Sequence, residues 1–141
     1  MIVSATITGS RENEIAGALE SVLGQVDRMV LVDTGVTDRT LERAKAVAKD
    51  LTIVKHPWRN DFSDARNASL NAARAVPGAE WILVLDTDER FDFKGKNLRE
   101  ELAHVRSDVV LIEATDGHYP KEKLVRASAA AHFEGPTHEA L

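Results

Sequence analysis

The sequence predicts an α/β fold built on an open, mostly parallel sheet with antiparallel additions and helices on both faces. Three observations carry this reading. Short β-branched runs alternate with longer segments of helical period through the first half of the chain, the signature of βαβ units. Two apolar runs, Met29-Val30-Leu31-Val32 and Trp81-Ile82-Leu83-Val84-Leu85, pass abruptly into Asp33 and Asp86. Beyond Glu89 the pattern changes, and later apolar runs are joined by turn-rich sequence.

Taken in order, the strand candidates are Ile2 to Ile7, Met29 to Val32, Leu51 to Lys55 and Trp81 to Leu85. Ile15, Leu19, Val22 and Leu23 form the apolar stripe of a first helix, and Leu41, Ala44, Val47, Ala48 and Leu51 repeat it in a second. Each stripe needs a sheet to cover it. Thr37 is the expected cap of the second helix, with Asp38 favourable in its first turn. A third helix is expected from Ser63 or Asp64 to Val76, with either residue as its cap and Pro77-Gly78 ending it. Its alanines permit close approach to a sheet. Leu98 to Val105 reads as a short helix, and Val109 to Ala114 and Leu124 to Ala127 read as antiparallel strands on either side of Thr115-Asp116-Gly117-His118-Tyr119-Pro120.

The 141 residues carry 18 basic and 23 acidic side chains, a formal charge of −5, and no cysteine. That length suits one domain, expected over 1–141. Disulfides, thiolate catalysis and zinc–thiolate sites are excluded. No Lys/Arg cluster is present to release counterions from a phosphate backbone, so nucleic acid is not an expected partner. The longest apolar stretch, Trp81 to Leu85, is far short of the roughly 20 residues of a membrane-spanning helix. The N-terminal residues read as a strand and lack a basic leader, so a cytoplasmic location is expected.

Chemistry concentrates where the runs end. If Leu83-Val84-Leu85-Asp86-Thr87-Asp88-Glu89 continues extended, Asp86 and Asp88 point the same way and address one site at the carboxyl edge of the sheet. Paired carboxylates repel unless a cation or protons neutralise them, and oxygen ligands suit Mg²⁺ or Mn²⁺, which would hold a diphosphate. The alternative is an acidic turn capping the strand. Asp33 repeats the arrangement and either accepts hydrogen bonds from a ribose or base or shapes its own turn. Arg66 lies near the positive end of the third helix, where it contacts a phosphate or pairs with a nearby acid. Trp58 and Phe62 are expected to be packing residues rather than base stackers. His138 could complete a metal site and Glu139 could take a proton from an attacking hydroxyl, and a solvated tail is the alternative. His56, His104, His118 and His132 show no metal-ligand spacing.

These segments together resemble the family 2 glycosyltransferases of GT-A fold, a Rossmann-like nucleotide-diphospho-sugar transferase architecture, and particularly their bacterial and phage type. The residues that carry the resemblance are Val32-Asp33-Thr34-Gly35-Val36-Thr37-Asp38-Arg39-Thr40, Trp58-Arg59-Asn60-Asp61-Phe62-Ser63-Asp64-Ala65-Arg66-Asn67 and Trp81-Ile82-Leu83-Val84-Leu85-Asp86-Thr87-Asp88-Glu89. Phe133-Glu134-Gly135-Pro136-Thr137-His138-Glu139 looks like the family's Phe-x-Gly-x-x-His-Glu. One departure stands out. The family commonly has Lys-Asn-Glu-Glu after its first strand, and Gly9-Ser10-Arg11-Glu12 occupies that place here.

The resemblance implies transfer of a sugar, with inversion, from a UDP- or GDP-sugar to an acceptor hydroxyl on a glycan, lipid or small molecule, assisted by Mn²⁺ or Mg²⁺. It assigns Asp33 to the nucleoside, Arg66 to the nucleotide or its diphosphate, and Thr8, Asp86 and Thr87 to the donor nucleotide. Asp88 and His138 would be metal ligands, Asp88 counting as catalytic with Glu139 as the base. Homodimerisation is a further expectation. Relatives generally continue past His138-Glu139-Ala140-Leu141 with helix and acceptor-binding structure, so a domain truncated at its C-terminal side and a non-catalytic sugar-nucleotide-binding module are alternatives. A haloacid-dehalogenase-like phosphatase with Asp86 as nucleophile is a weaker one, because Lys121 and Lys123 do not form a convincing set with it.

Overall fold

The computed structural model describes residues 1–113 and 120–129. Six strands, β1 (Ile2–Thr8), β2 (Arg28–Asp33), β3 (Leu51–Lys55), β4 (Trp81–Val84), β5 (Val109–Ile112) and β6 (Lys121–Arg126), form one sheet in the spatial order β3-β2-β1-β4-β6-β5. The first four are parallel, and β6 runs antiparallel between β4 and β5. The expected α/β architecture is therefore present. Central strands β1, β2 and β4 are buried along nearly their whole length because both faces of this part of the sheet are covered, β1 with the hydroxyls Ser4, Thr6 and Thr8 among its buried residues.

Helices α1 (Ile15–Glu20), α2 (Thr40–Val47) and α4 (Leu98–Leu102) cover one face and α3 (Phe62–Arg74) the other. On the first face Ile15, Leu19, Ala44 and Leu102 pack with Leu31, Leu83 and Leu124. On the second, Leu70 and Ala73 meet Val3, Val30, Ile82 and Val84. The Ala65, Ser69 and Ala73 stripe is fully buried, so small side chains let α3 approach the sheet closely. Among the described residues, no helix is long and apolar enough to cross a membrane.

Several local expectations are corrected. The cap of α3 is Asp61, not Ser63 or Asp64: its extended backbone (φ −144°, ψ 109°) brings the carboxylate within 3.2 Å of the Asp64 amide. That helix stops at Arg74, short of Val76. Thr37 does not cap α2; its amide donates to Ser10 Oγ, while Asp38 Oδ1 accepts the Thr40 amide at 2.9 Å. Leu23 is 50% exposed because α1 ends at Glu20 and the stripe does not continue helically. Leu51 belongs to β3 and not to the α2 stripe, since extended pairing with Met29 takes it.

Chain order creates the site. The path runs outward from β1 through β2 to β3, then returns to the opposite side of β1 with β4. Such a reversal opens a crevice beyond the carboxyl ends of the strands, between loops that leave in opposite directions. Thr8 and Asp33 are register partners at that edge, and Asp33 in turn is partnered by Lys55.

Candidate active site

A cavity of about 660 Å³ occupies this crevice. Thr8 and Gly9 line it from the end of β1, Thr34 from just beyond β2, and Asp86, Thr87 and Asp88 from beyond β4. Its volume falls within the range of small-ligand sites, and its walls mix aromatic, hydroxyl and charged groups.

The segment after β4 is a tight turn rather than an extension of the strand. The Asp86 carbonyl accepts the Glu89 amide at 3.1 Å, and the Asp86 amide donates to Glu89 Oε1 at 2.8 Å. Asp86 and Asp88 both line the cavity because the chain reverses there, not because of strand alternation. Two cations flank Asp86. Arg66 Nη2 lies 2.6 Å from Oδ1, and Lys123 Nζ lies 3.5 Å from Oδ2 and 2.6 Å from Glu89 Oε1. Burial acts to raise the Asp86 pKa, but the Arg66 and Lys123 charges outweigh it and hold the carboxyl below its ordinary range. Asp88, by contrast, is exposed at the cavity.

Arg66, 5% exposed on the buried face of α3, lines the cavity and makes an ion pair with an acid, the second of the two contacts its sequence position suggested. Lys123 was not singled out as a site residue. The usable signal was alternation: Lys123 shares a face with Val125, two residues on, and Val125 is fully buried.

Asp33 sits at the shared edge but turns its carboxylate into its own loop. Oδ1 accepts the Gly35 amide at 2.9 Å and the Val36 amide at 2.8 Å, and Thr34 is the residue of that segment that lines the cavity. Gly35 has φ +138°, a conformation that suits glycine in this turn. Thr34 is tied back to β1, its amide and hydroxyl both donating to the Thr8 carbonyl at 3.0 Å.

Trp58 and Phe62 overturn the packing expectation. Each is 41% exposed, and their rings meet edge to face with centroids 4.8 Å apart on the cavity wall. Trp58 lies in the β3–α3 connection, where its amide donates to the Thr34 carbonyl at 3.1 Å, and Phe62 opens α3. Arg11, in the stretch that departs from the family motif, and Glu14, just before α1, also line the cavity. The Arg11 amide donates to Thr40 Oγ1 at 2.7 Å, which knits this loop to the start of α2.

Among the described residues, no group of three or more His, Asp or Glu side chains is placed to hold a metal ion. His138 and Glu139, expected as ligand and base, lie outside the described residues, as do His118 and His132.

Residues 5–95 match the model of the family described as glycosyl transferase family 2. The chain belongs to this family. A TPR repeat-containing protein of Synechococcus elongatus is 36% identical over 86% of the chain and 30% of its own length. The SPbeta prophage-derived glycosyltransferase SunS of Bacillus subtilis is 28% identical over 98% of the chain and 34% of its own length. The chain thus spans about a third of the length of these curated relatives. Among solved structures, S. aureus TarS 1–349 in complex with UDP superposes with a TM-score of 0.63 at 22% identity, covering 84% of this chain and 37% of that one. Glucosyl-3-phosphoglycerate synthase from Mycobacterium tuberculosis, in complex with Mn²⁺, UDP and phosphoglyceric acid, gives 0.50 at 22%, covering 64% and 34%. These likenesses establish the GT-A fold for this family 2 chain.

Proposed function

We propose that residues 1–141 form one GT-A-like glycosyltransferase domain that binds a nucleoside-diphosphate sugar and passes its sugar, with inversion, to an acceptor hydroxyl. The observation that carries this reading is the convergence of Thr8, Thr34 and the Asp86–Asp88 turn on one cavity at the switch point of the sheet. UDP in the TarS complex, and Mn²⁺ with UDP in the mycobacterial synthase complex, support a UDP-sugar and a divalent ion.

The donor set fits such an ion. Asp86 already faces two cations, which leaves the exposed Asp88 as the aspartate of this turn that is open to the cavity. Mg²⁺ sites commonly use one or two carboxylates together with substrate phosphates, and Mn²⁺ suits the same oxygen ligands. Asp88, joined by His138, would hold Mn²⁺ or Mg²⁺, and the ion when bound neutralises charge on the departing diphosphate. Thr8, Thr34 and Thr87 would orient the nucleotide, with Asp33 acting through the loop it shapes. Arg66 would supply positive charge to the diphosphate while keeping Asp86 in place.

In the transfer itself, the acceptor oxygen forms a bond to the anomeric carbon as the bond from that carbon to the diphosphate oxygen breaks. The acceptor proton passes to a carboxylate base, for which Glu139 is proposed, and the nucleoside diphosphate leaves with the electron pair. The test is product formation and donor hydrolysis with a panel of UDP- and GDP-sugars, with and without Mn²⁺ or Mg²⁺. Metal-supported turnover lost in Asp88→Ala is the expected result. Nucleotide binding with no turnover toward any acceptor or water would instead identify a binding module.

A further inference from the structure

We propose that Lys123 is a positioning residue for the donor site, locking the turn that presents Thr87 and Asp88 to the cavity before any ligand arrives. The inference rests on the donor-binding role proposed above. Lys123 stands on β6, a strand to which neither the sequence motifs nor the switch point gives a part. Its side chain is only 8% exposed, a burial that a lysine sustains only when its charge is paired.

The pairing it makes is specific to the turn. Nζ bonds Glu89 Oε1 at 2.6 Å, and that same oxygen accepts the Asp86 amide at 2.8 Å. Oδ2 of Asp86 lies 3.5 Å from the same Nζ. One ammonium group therefore engages the first and last side chains of the four-residue turn, whose middle residues face the cavity. Backbone register explains how it gets there. Leu124 pairs with Leu83, so Lys123 lies beside the exit of β4, and alternation puts it on the face of Val125, whose partner Ile82 packs in the α3 layer. Asp86 is thereby held by Arg66 from α3 and by Lys123 from the antiparallel edge. A turn fixed in this way loses little freedom when a ligand binds, and that preorganisation is the contribution assigned to Lys123.

Two measurements on the ligand-free and UDP-bound protein test this. Amide hydrogen exchange across residues 85–90 is compared in the parent, Lys123→Met and Lys123→Arg, and UDP affinity is measured by calorimetry with Mn²⁺ present. Lys123→Met is expected to speed exchange locally and to weaken UDP about tenfold, with Lys123→Arg recovering most of both. Glu89→Gln, which keeps an oxygen for the Asp86 amide but drops the charge, is expected to move both readouts in the same direction and serves if Lys123→Met fails to fold. Unchanged exchange at 85–90, or UDP affinity equal to the parent's, would overturn the role of Lys123. Failure of the parent itself to bind UDP or GDP would overturn the proposed function and the positioning role with it.

Discussion

Nη2 of Arg66 lies 2.6 Å from Oδ1 of Asp86, tying the start of α3 to the residue that opens the turn beyond β4. A nearly buried guanidinium and a carboxylate face each other at the cavity, so removing either one deprives the other of its closest counter-charge, while Asp86 keeps its second cation, Lys123. Asp86→Asn is expected to lower stability by about 3 kcal/mol in urea unfolding. The double variant Arg66→Met, Asp86→Leu should lose less than the two single changes added together, since the coupling between the two charges is then lost only once. Strict additivity would show that the pair does not interact in solution.

The exposed edge-to-face pair of Trp58 and Phe62 contributes little to folding but forms part of the cavity wall. Alanine at either position should change stability by less than about 1 kcal/mol. Loss of a stacking surface costs about 1–3 kcal/mol per base in nucleic-acid sites, so UDP affinity by calorimetry should fall tenfold or more if the pair covers the bound nucleotide. Unchanged affinity would return both rings to a surface role.

Gly17 makes room for Arg90. A Cβ at this position would stand 2.6 Å from Nε, and Arg90 donates to the carbonyls of Thr87 at 2.9 Å, Glu89 at 2.7 Å and Glu14 at 2.9 Å. Gly17→Ala should gain up to about 1 kcal/mol of helix propensity while displacing the flexible guanidinium. Near-neutral stability with weakened UDP binding is the expected combination, because the turn loses its tie to α1. Unaltered binding would show that Arg90 does not matter to the turn.

Asp27 provides a pH-dependent contribution away from the cavity. Burial tends to raise its pKa, but the Ile2 amide at 2.7 Å and the Arg99 guanidinium together hold it below the ordinary carboxylate value. With the folded pKa depressed, the stabilisation is complete above the unfolded value of about 3.9 and is lost as pH falls through the folded one. Asp27→Ala should therefore cost about 1–2 kcal/mol at pH 7 and progressively less below pH ~4. A cost independent of pH down to 2 would contradict the charge-based origin.

Much of this framework was legible from residue order. Strands β2 and β4 announced themselves as apolar runs buried on both faces, and the aspartates that follow those runs marked the edge where the cavity lies. What escaped was side-chain direction. Asp61, Ser63 and Asp64 are all capping types, and the extended backbone at Asp61 decides among them. Asp33 serves its own turn because two amides lie within reach of one carboxylate oxygen, a geometry that the identity of the residue permits but does not dictate. Lys123 reaches Asp86 only through antiparallel register between β4 and β6, a long-range pairing that local periodicity does not specify.

The most direct test of the proposed donor site is a crystal structure of the protein with UDP and Mn²⁺, read through the anomalous signal of manganese. The expected result is a peak at coordinating distance from the Asp88 carboxylate, with the diphosphate beside it and the nucleoside along Thr8 and Thr34, and no peak in Asp88→Ala. Manganese and UDP bound away from the Asp86–Asp88 turn, or the same peak persisting without the Asp88 carboxylate, would contradict it.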